Sequence, residues 1–127
     1  MTEELGPGAR IGQYRLVREL GRGGMGVIFE AVHDEIGRRA AVKLLSPRCA
    51  GHAHYVRRFL NEARTISRVR HSGLVQIYDF GQTSTGAPYI LMELLDGESL
   101  RDRLVRRGRA RLSPTEVRRV IRQIAAA

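Results

Sequence analysis

The fold of this chain is decided by residues 20–45, which read LGRGGMGVIFEAVHDEIGRRAAVKLL. The first seven residues contain a Gly-x-Gly-x-x-Gly pattern. The apolar-rich residues 14–20 before the glycines and the β-branched and aromatic residues 27–33 after them predict two strands. The glycines therefore connect two strands instead of opening a helix. This order excludes a dinucleotide-binding turn, and a P-loop is excluded because no Gly-Lys-Ser/Thr ends the run.

The remaining sequence predicts three more strands and three helices. Residues 34–37 form a predicted hairpin turn, and the apolar run around Lys43 predicts a third strand. From residue 54 to residue 70 apolar side chains recur at i, i+3, i+4 and i+7, which predicts an amphipathic helix. Ser99 and Ser113 are predicted N-caps of two later helices, and Gly108 is expected to end the first of these. The last two predicted strands are residues 74–80 and 88–95.

Lys43 is the single lysine among 22 cationic residues. On the predicted helix Glu62 follows Phe59 by three residues and precedes Ile66 by four, which places its carboxylate on the inward side. A buried ammonium and a buried carboxylate each need a partner, so we expect Lys43 and Glu62 to pair. A lysine held in this way beneath a glycine flap can fix the phosphates of a nucleotide. A structural salt bridge without a ligand is the alternative.

The net charge of +9 is concentrated near the C-terminal end. Residues 101–127 contain nine arginines and two acids, whereas residues 1–100 have a surplus of only two positive charges. An arginine-rich helix can bind phosphate backbones, and a solvated helix face is the alternative. No aromatic residue follows position 89, so stacking on bases is not available there. We therefore expect no nucleic-acid partner.

The composition indicates one modest folded domain. The chain has 127 residues, of which 43% are hydrophobic and 28% are charged, and it has a single cysteine, Cys49. No signal sequence opens the chain, and no apolar run approaches the ~20 residues that a membrane helix needs. These features predict a cytoplasmic protein without a membrane segment in this chain.

Taken in order, the motifs resemble the amino-terminal lobe of a bacterial, eukaryotic-like serine/threonine protein kinase. Leu20 to Gly26 is similar to the glycine-rich loop of that family, Ala41-Val42-Lys43 to its Ala-x-Lys motif, and Arg58 to Glu62 to its C-helix. Residues 71–79 resemble the loop and strand behind that helix, and residues 89–100 resemble the next strand, the hinge and the start of a further helix.

The resemblance covers residues 12–127 and implies an α+β fold. We expect a five-stranded antiparallel sheet with one packed C-helix, followed by the first two helices of a second lobe. The implied organisation is an N-terminal lead (1–11), an ATP-binding lobe (12–95), and the hinge exit with an incomplete second lobe (96–127).

The resemblance also implies roles for individual residues. Lys43 and Glu62 would be the catalytic pair, with Met92 as the gatekeeper. Backbone groups of Glu93 and Leu95 would bind adenine, and Glu98 would reach the ribose. For the apolar positions plain core packing is the alternative. The residues implied to pack on the adenine ring are Leu20, Ile28 and Ala41, and those implied to cover the phosphates are Gly21, Arg22, Gly23, Gly24, Met25 and Gly26.

Two departures from the family pattern limit what this chain is expected to do. No His-Arg-Asp-x-x-x-x-Asn motif occurs in it. Asp79-Phe80-Gly81 spells the metal-binding triplet but precedes the hinge, so we interpret Asp79 as a turn residue at a strand end.

The parent enzyme is therefore expected to use ATP and Mg²⁺, with the metal ligands absent from this chain and the protein substrate bound by the second lobe. We expect residues 1–127 alone to be inactive. The alternatives are a truncated, non-catalytic binding module and a basic nucleic-acid-binding domain.

Overall fold

The computed structural model describes residues 5–107 and 112–126, in which six antiparallel strands form one sheet. The sheet order is β1-β2-β3-β4-β6-β5. The five expected strands are present, and the additional strand β1 is a two-residue edge that pairs with the start of β2. The strands are β1 Arg10–Ile11, β2 Tyr14–Arg22, β3 Gly26–His33, β4 Arg39–Leu45, β5 Ile77–Gln82 and β6 Pro88–Met92.

Four helices accompany the sheet, and α2 is the one that packs on it through β5 and β6. The expected α+β architecture is thereby confirmed. No helix among the described residues is long and apolar enough to cross a membrane. The helices are α1 Pro47–Ala50, α2 Ala53–Ser67, α3 Leu100–Arg107 and α4 Pro114–Ala126.

Alternation of side chains gives the sheet two different faces. On β4, Ala40, Val42 and Leu44 pack with Phe29 and Leu16 in the larger apolar cluster, and we call this side the outer face. Ala41 and Lys43 alternate with them and lie on the opposite side, which we call the site face.

Helix α2 covers one end of the site face. Phe59 and Ala63 on the helix are buried against Leu45, Cys49 and Ile90. Full burial of a side chain such as Phe59 stabilises the fold by about 1.5–3 kcal/mol. This packing fixes the helix next to the strand that carries Lys43.

Several boundaries differ from the sequence-based prediction. α1 was not predicted, because a four-residue helix is too short to show periodicity; Ser46 caps it and Pro47 takes its first position. β5 begins at Ile77 because residues 71–74 form a turn in which the Gly73 N–H donates to His71 Nδ1. β6 ends at Met92, three residues before the predicted end.

The two later helices begin where their caps predict. Ser99 Oγ accepts a hydrogen bond from the Asp102 N–H at 3.0 Å. At α4 the Ser113 N–H donates to the Glu116 carboxylate at 2.7 Å and the Glu116 N–H donates to Ser113 Oγ at 3.2 Å, which is a reciprocal capping box. The predicted end of the earlier helix at Gly108 lies outside the described residues.

Candidate functional site

The glycine-rich turn connects β2 and β3 and closes tightly. Gly21 pairs with Ile28 and Arg22 with Val27, and the Gly23 N–H donates to the Gly26 carbonyl at 2.8 Å. The turn is also tied to the strand exit beyond β4, because the Ser46 N–H donates to the carbonyl of Met25 at 2.8 Å. These bonds therefore fix the position of the turn at the end of the sheet where β3 begins.

The glycines of this turn differ in what the fold requires of them. A Cβ at Gly26 would collide with the backbone carbonyl of Leu44 on the neighbouring strand, so the fold itself requires glycine there. A Cβ at Gly21, Gly23 or Gly24 would meet nothing within 4 Å, and none of the three has a positive φ. At these positions the absence of a side chain leaves open space above the turn.

Two other residues of the turn are held by the protein itself. The Arg22 guanidinium bonds the Glu19 carboxylate at 2.9 Å. The Met25 side chain packs against the apolar cluster around Phe59 and Cys49. These two contacts hold the turn near its start, at Arg22, and near its end, at Met25.

Lys43 and Glu62 come together as the sequence predicts, but in a more open setting. Lys43 Nζ lies 3.9 Å from a Glu62 carboxylate oxygen and 5.7 Å from the centre of the Phe59 ring. The prediction that Glu62 is buried is wrong, because its side chain is 58% exposed, compared with 32% for Lys43. The physical reason is that Phe59 and Ala63 are the buried residues of α2, and Glu62 lies outside this buried part of the helix surface.

The residues expected to contact adenine lie together on the site face. Ile28 pairs with Lys43 across β3 and β4, and Ala41 pairs with Met92 across β4 and β6. Ala41 is buried and Ile28 and Met92 are half-buried, and we call these three side chains on the site face the apolar ceiling. Leu20 lies in the register shift between Glu19 and Gly21 and is 39% exposed.

The segment after β6 presents one acceptor and one donor. The Glu93 N–H donates to the Gln76 carbonyl at 2.8 Å, and the Glu93 carboxylate accepts from the Gln76 N–H at 3.1 Å. These bonds fix Glu93 but leave its carbonyl without a hydrogen bond within residues 5–107 and 112–126. The same holds for the Leu95 N–H.

Glu98 is paired with arginines of α3. Its carboxylate bonds Arg103 at 2.9 Å and Arg106 at 2.7 Å on α3. Hydrogen bonds from Arg106 and then Arg103 lower the pKa of Glu98 to about 2. In this structure two arginines of the following helix hold the Glu98 carboxylate, and a contact between Glu98 and a ribose stays a prediction.

Asp79 lies within a strand and not in a turn at the strand end. It is the third residue of β5, at a register shift between Ile77 and Asp79, and its carboxylate accepts the Phe80 N–H at 2.8 Å. The interpretation of Asp79 as a turn residue is corrected accordingly. At such a shift a short polar side chain can bond a neighbouring backbone N–H, as Asp79 does.

The site face also carries an ion-pair cluster that was not predicted from the sequence. Glu30, 6% exposed, bonds Arg18 at 2.6 Å and Arg39 at 2.8 Å, and Arg39 also lies 3.4 Å from Asp96. Hydrogen bonds from Arg18 and then from Arg39 lower the pKa of Glu30, against the opposing effect of burial. A carboxylate inside the apolar run of β3 was the available signal.

A cavity of about 320 Å³ lies beside the glycine turn, where β3 begins and β4 ends. Val27 and Leu44 of the outer face line it together with Ala50 and Ala87. Neither Lys43 nor Glu62 lines this cavity, whereas Arg22, Gly23 and Gly26 do, so it borders the candidate site only at the glycine turn.

A family model and two named relatives match most of this chain. A family model described as "Protein kinase domain" matches residues 14–127. The chain is similar to the serine/threonine-protein kinase PknA of Mycobacterium tuberculosis, with 39% identity over 105 residues, 80% of this chain and 24% of the relative. It is also similar to the serine/threonine-protein kinase Pkn1 of Myxococcus xanthus, with 44% identity over 93 residues, 73% of this chain and 13% of the relative.

The fold agrees with a solved structure. The crystal structure of the Mycobacterium tuberculosis PknI kinase domain superposes with a TM-score of 0.80 and 29% identity, covering 96% of this chain and 48% of that one. The chain therefore spans about half of a solved kinase domain and a smaller share of the full-length relatives.

Proposed function

Since this chain belongs to the protein kinase family, we propose that it forms the ATP-binding part of a serine/threonine protein kinase. The reaction is transfer of the γ-phosphoryl group of ATP to serine or threonine hydroxyls of proteins. The observation that carries the proposal is the pairing of Lys43 with Glu62 on the sheet face that continues into the glycine-rich turn.

The phosphate end of the nucleotide is assigned to Lys43 and the glycine turn. A lysine ammonium is a compact point charge, and the Glu62 carboxylate at 3.9 Å directs it toward the open side of the sheet. The open space above Gly21, Gly23 and Gly24 lets phosphate oxygens approach the backbone of the turn without obstruction by a side chain. Arg22 and Met25 belong to the same covering turn.

The adenine end is assigned to the apolar ceiling and the segment after β6. Ile28, Ala41 and Leu20 would pack on the ring, and Met92 would limit the depth of the pocket as its gatekeeper. The carbonyl of Glu93 and the N–H of Leu95 lack hydrogen bonds within the described part of the chain, and they would supply an acceptor and a donor to the purine edge.

Mg²⁺, which accompanies ATP in protein kinases, has no assigned ligands here. No group of three or more histidine, cysteine, aspartate or glutamate side chains that could hold a metal occurs among the described residues. Asp79 is engaged with the Phe80 N–H. We propose no chemical step through the metal on these residues, and we expect the isolated chain to bind nucleotide without catalysing transfer.

We further propose a cytoplasmic protein whose partners are ATP and a protein substrate, without a nucleic-acid partner. Three arginines of the basic C-terminal part are committed to carboxylates, since Arg103 and Arg106 pair with Glu98 and Arg107 pairs with Glu116. Steep salt-sensitive binding to duplex DNA would contradict this part of the proposal.

Replacing Lys43 tests the proposed function. In the full-length protein Lys43→Met is expected to lower the rate of phosphoryl transfer by at least about 100-fold, since the charge that holds the phosphates is lost. Arg57→Met is the matched control, because it removes an exposed cation from α2 that has no ion pair within the described residues. Unchanged phosphoryl transfer by Lys43→Met, or equal loss in the control, would overturn the proposal.

A further inference from the structure

Glu30 is the single buried charged residue among the described ones. It lies on β3 directly across from Ala41 and two residues from Ile28, so its carboxylate borders the apolar ceiling of the site. The roles proposed for Lys43 and the glycine turn do not involve the Glu30 carboxylate. A buried carboxylate in this position needs cations to hold it, and the sheet provides two.

Arg18 and Arg39 hold this carboxylate from both neighbouring strands. Arg18 pairs directly with Glu30 in the register of β2 and β3, and its Nε lies 2.6 Å from one carboxylate oxygen. Arg39 is the diagonal neighbour on β4, and it bonds the other oxygen at 2.9 Å through Nε and 2.8 Å through NH2. The Arg39 guanidinium is thus bound through two of its nitrogens.

The remaining nitrogen of Arg39 reaches the segment after β6. NH1 lies 3.4 Å from the Asp96 carboxylate. Asp96 directly follows Leu95, and Gly97 after it has φ +138°, a conformation that favours glycine. At the start of this segment Glu93 is bonded to Gln76. At its other end the contact between Asp96 and Arg39 attaches the segment to the sheet.

Resting on the proposed function, we infer that Arg39 is a positioning residue for the purine. Oriented by Glu30, its guanidinium holds Asp96 and thereby sets the distance between the ceiling at Ala41 and the acceptor and donor of Glu93 and Leu95. The planar guanidinium with its several fixed donors can bridge two carboxylates at once. A lysine would offer one point charge and lose the bridge.

The ion pair between Arg39 and Asp96 can position the segment after β6 even though it is exposed to solvent. An exposed ion pair is weak mainly because two flexible side chains must be ordered to form it. Arg39 is already ordered by two bonds to a buried carboxylate, so the contact with Asp96 orders the aspartate alone. The expected consequence is a change in purine affinity and not in phosphate affinity.

The test measures two probes separately on the full-length protein. Adenosine carries the purine without phosphates, and inorganic tripolyphosphate carries the phosphates without the purine. Asp96→Asn is the main variant, because Asp96 is 78% exposed and its replacement leaves the Glu30 bonds intact. Asp34→Asn is the matched control, since Asp34 accepts ion pairs from Arg10 and Arg15 at the far hairpin.

The inference predicts that Asp96→Asn weakens adenosine binding about fivefold, while tripolyphosphate binding and the Asp34→Asn control stay at the wild-type value. Arg39→Lys is expected to weaken adenosine binding similarly, and adding Asp96→Asn to Arg39→Lys is expected to have no further effect. In phosphoryl transfer the KM for ATP rises and kcat is unchanged.

Three results would overturn the inference while leaving the proposed function intact. They are wild-type adenosine affinity in Asp96→Asn, equal weakening of both probes, and additive effects of Arg39→Lys and Asp96→Asn. If the wild-type protein binds neither adenosine nor tripolyphosphate, the proposed function fails and the inference fails with it.

Discussion

The glycines of the turn between β2 and β3 have two different physical reasons to be glycine. Gly26 is required by the fold, because a Cβ there would collide with the Leu44 carbonyl. Gly23 has open space around it and a φ that any residue adopts, so its only evident requirement is room for a ligand. The two positions therefore separate stability from binding.

Alanine substitutions test this separation. Gly26→Ala is expected to lower the free energy of unfolding by about 2 kcal/mol, since the collision is with backbone and cannot be relieved by a side-chain rotation. Gly23→Ala is expected to change the free energy of unfolding by less than about 0.5 kcal/mol and to weaken ATP binding. Urea unfolding and equilibrium nucleotide binding measure the two effects. Equal destabilisation by both variants would contradict this account.

Single residues also show what sequence reasoning reaches and where it stops. The pairing of Lys43 with Glu62 could be predicted, because helical spacing and the rarity of lysine both pointed to it. The exposure of Glu62 could not, since it depends on how far α2 extends over the sheet. The Glu30 cluster was missed because Arg18 and Arg39 lie 12 and 9 residues away, and only the strand register brings them together.

At the scale of elements, long strands and helices with a regular hydrophobic pattern were predicted well. Short or irregular elements were not. The strands around the glycine turn and the helix α2 follow from alternation and from 3.6-residue periodicity. α1 and β1 have four and two residues, too few for either signal. The segment after β6 continues the apolar run of that strand, so the sequence extends the strand to Leu95 where the structure ends it at Met92.

The capping box of α4 gives a pH prediction. The Ser113 N–H, and then Arg107, lower the pKa of Glu116 from the usual 4.5 to about 2. Because the folded state favours the ionised carboxylate, the stabilisation of this cap is complete above pH 4.5 and is lost as the pH falls toward 2.

A carbon-13 NMR titration of the glutamate carboxyl groups measures this directly. Glu116 is expected to titrate well below 4.5, and Glu116→Gln is expected to remove part of the acid-induced loss of helicity between pH 4.5 and 2. Glu35→Gln serves as control, because Glu35 makes no ion pair within the described residues. A Glu116 midpoint near 4.5 would contradict the capping geometry.

For the whole molecule, the distribution of exposed apolar surface is uneven. The sheet and α2 enclose two apolar clusters, whereas α4 presents Val117, Ile121 and Ile124 with exposures of 39%, 59% and 68%. A stripe of this kind favours association in water. The 127-residue chain is therefore expected to self-associate through α4.

Sedimentation velocity over a range of concentrations tests this expectation. The chain is expected to show concentration-dependent association that Ile121→Glu combined with Ile124→Glu abolishes. Val105→Glu is the control, since Val105 lies on α3 and not on α4 and is 74% exposed. A chain that remains monomeric at high concentration would contradict the prediction.

The central claim, that Lys43 lies at the phosphates of bound ATP, is tested most directly by an acyl-phosphate derivative of ATP. Its acyl group transfers to an amine beside the terminal phosphate and forms an amide there. Trypsin then releases residues 40–48 as one modified peptide, because Lys43 is the only lysine between Arg39 and Arg48. The account predicts an adduct on Lys43 that excess ATP prevents. No adduct on Lys43, or an adduct that excess ATP leaves undiminished, would contradict it.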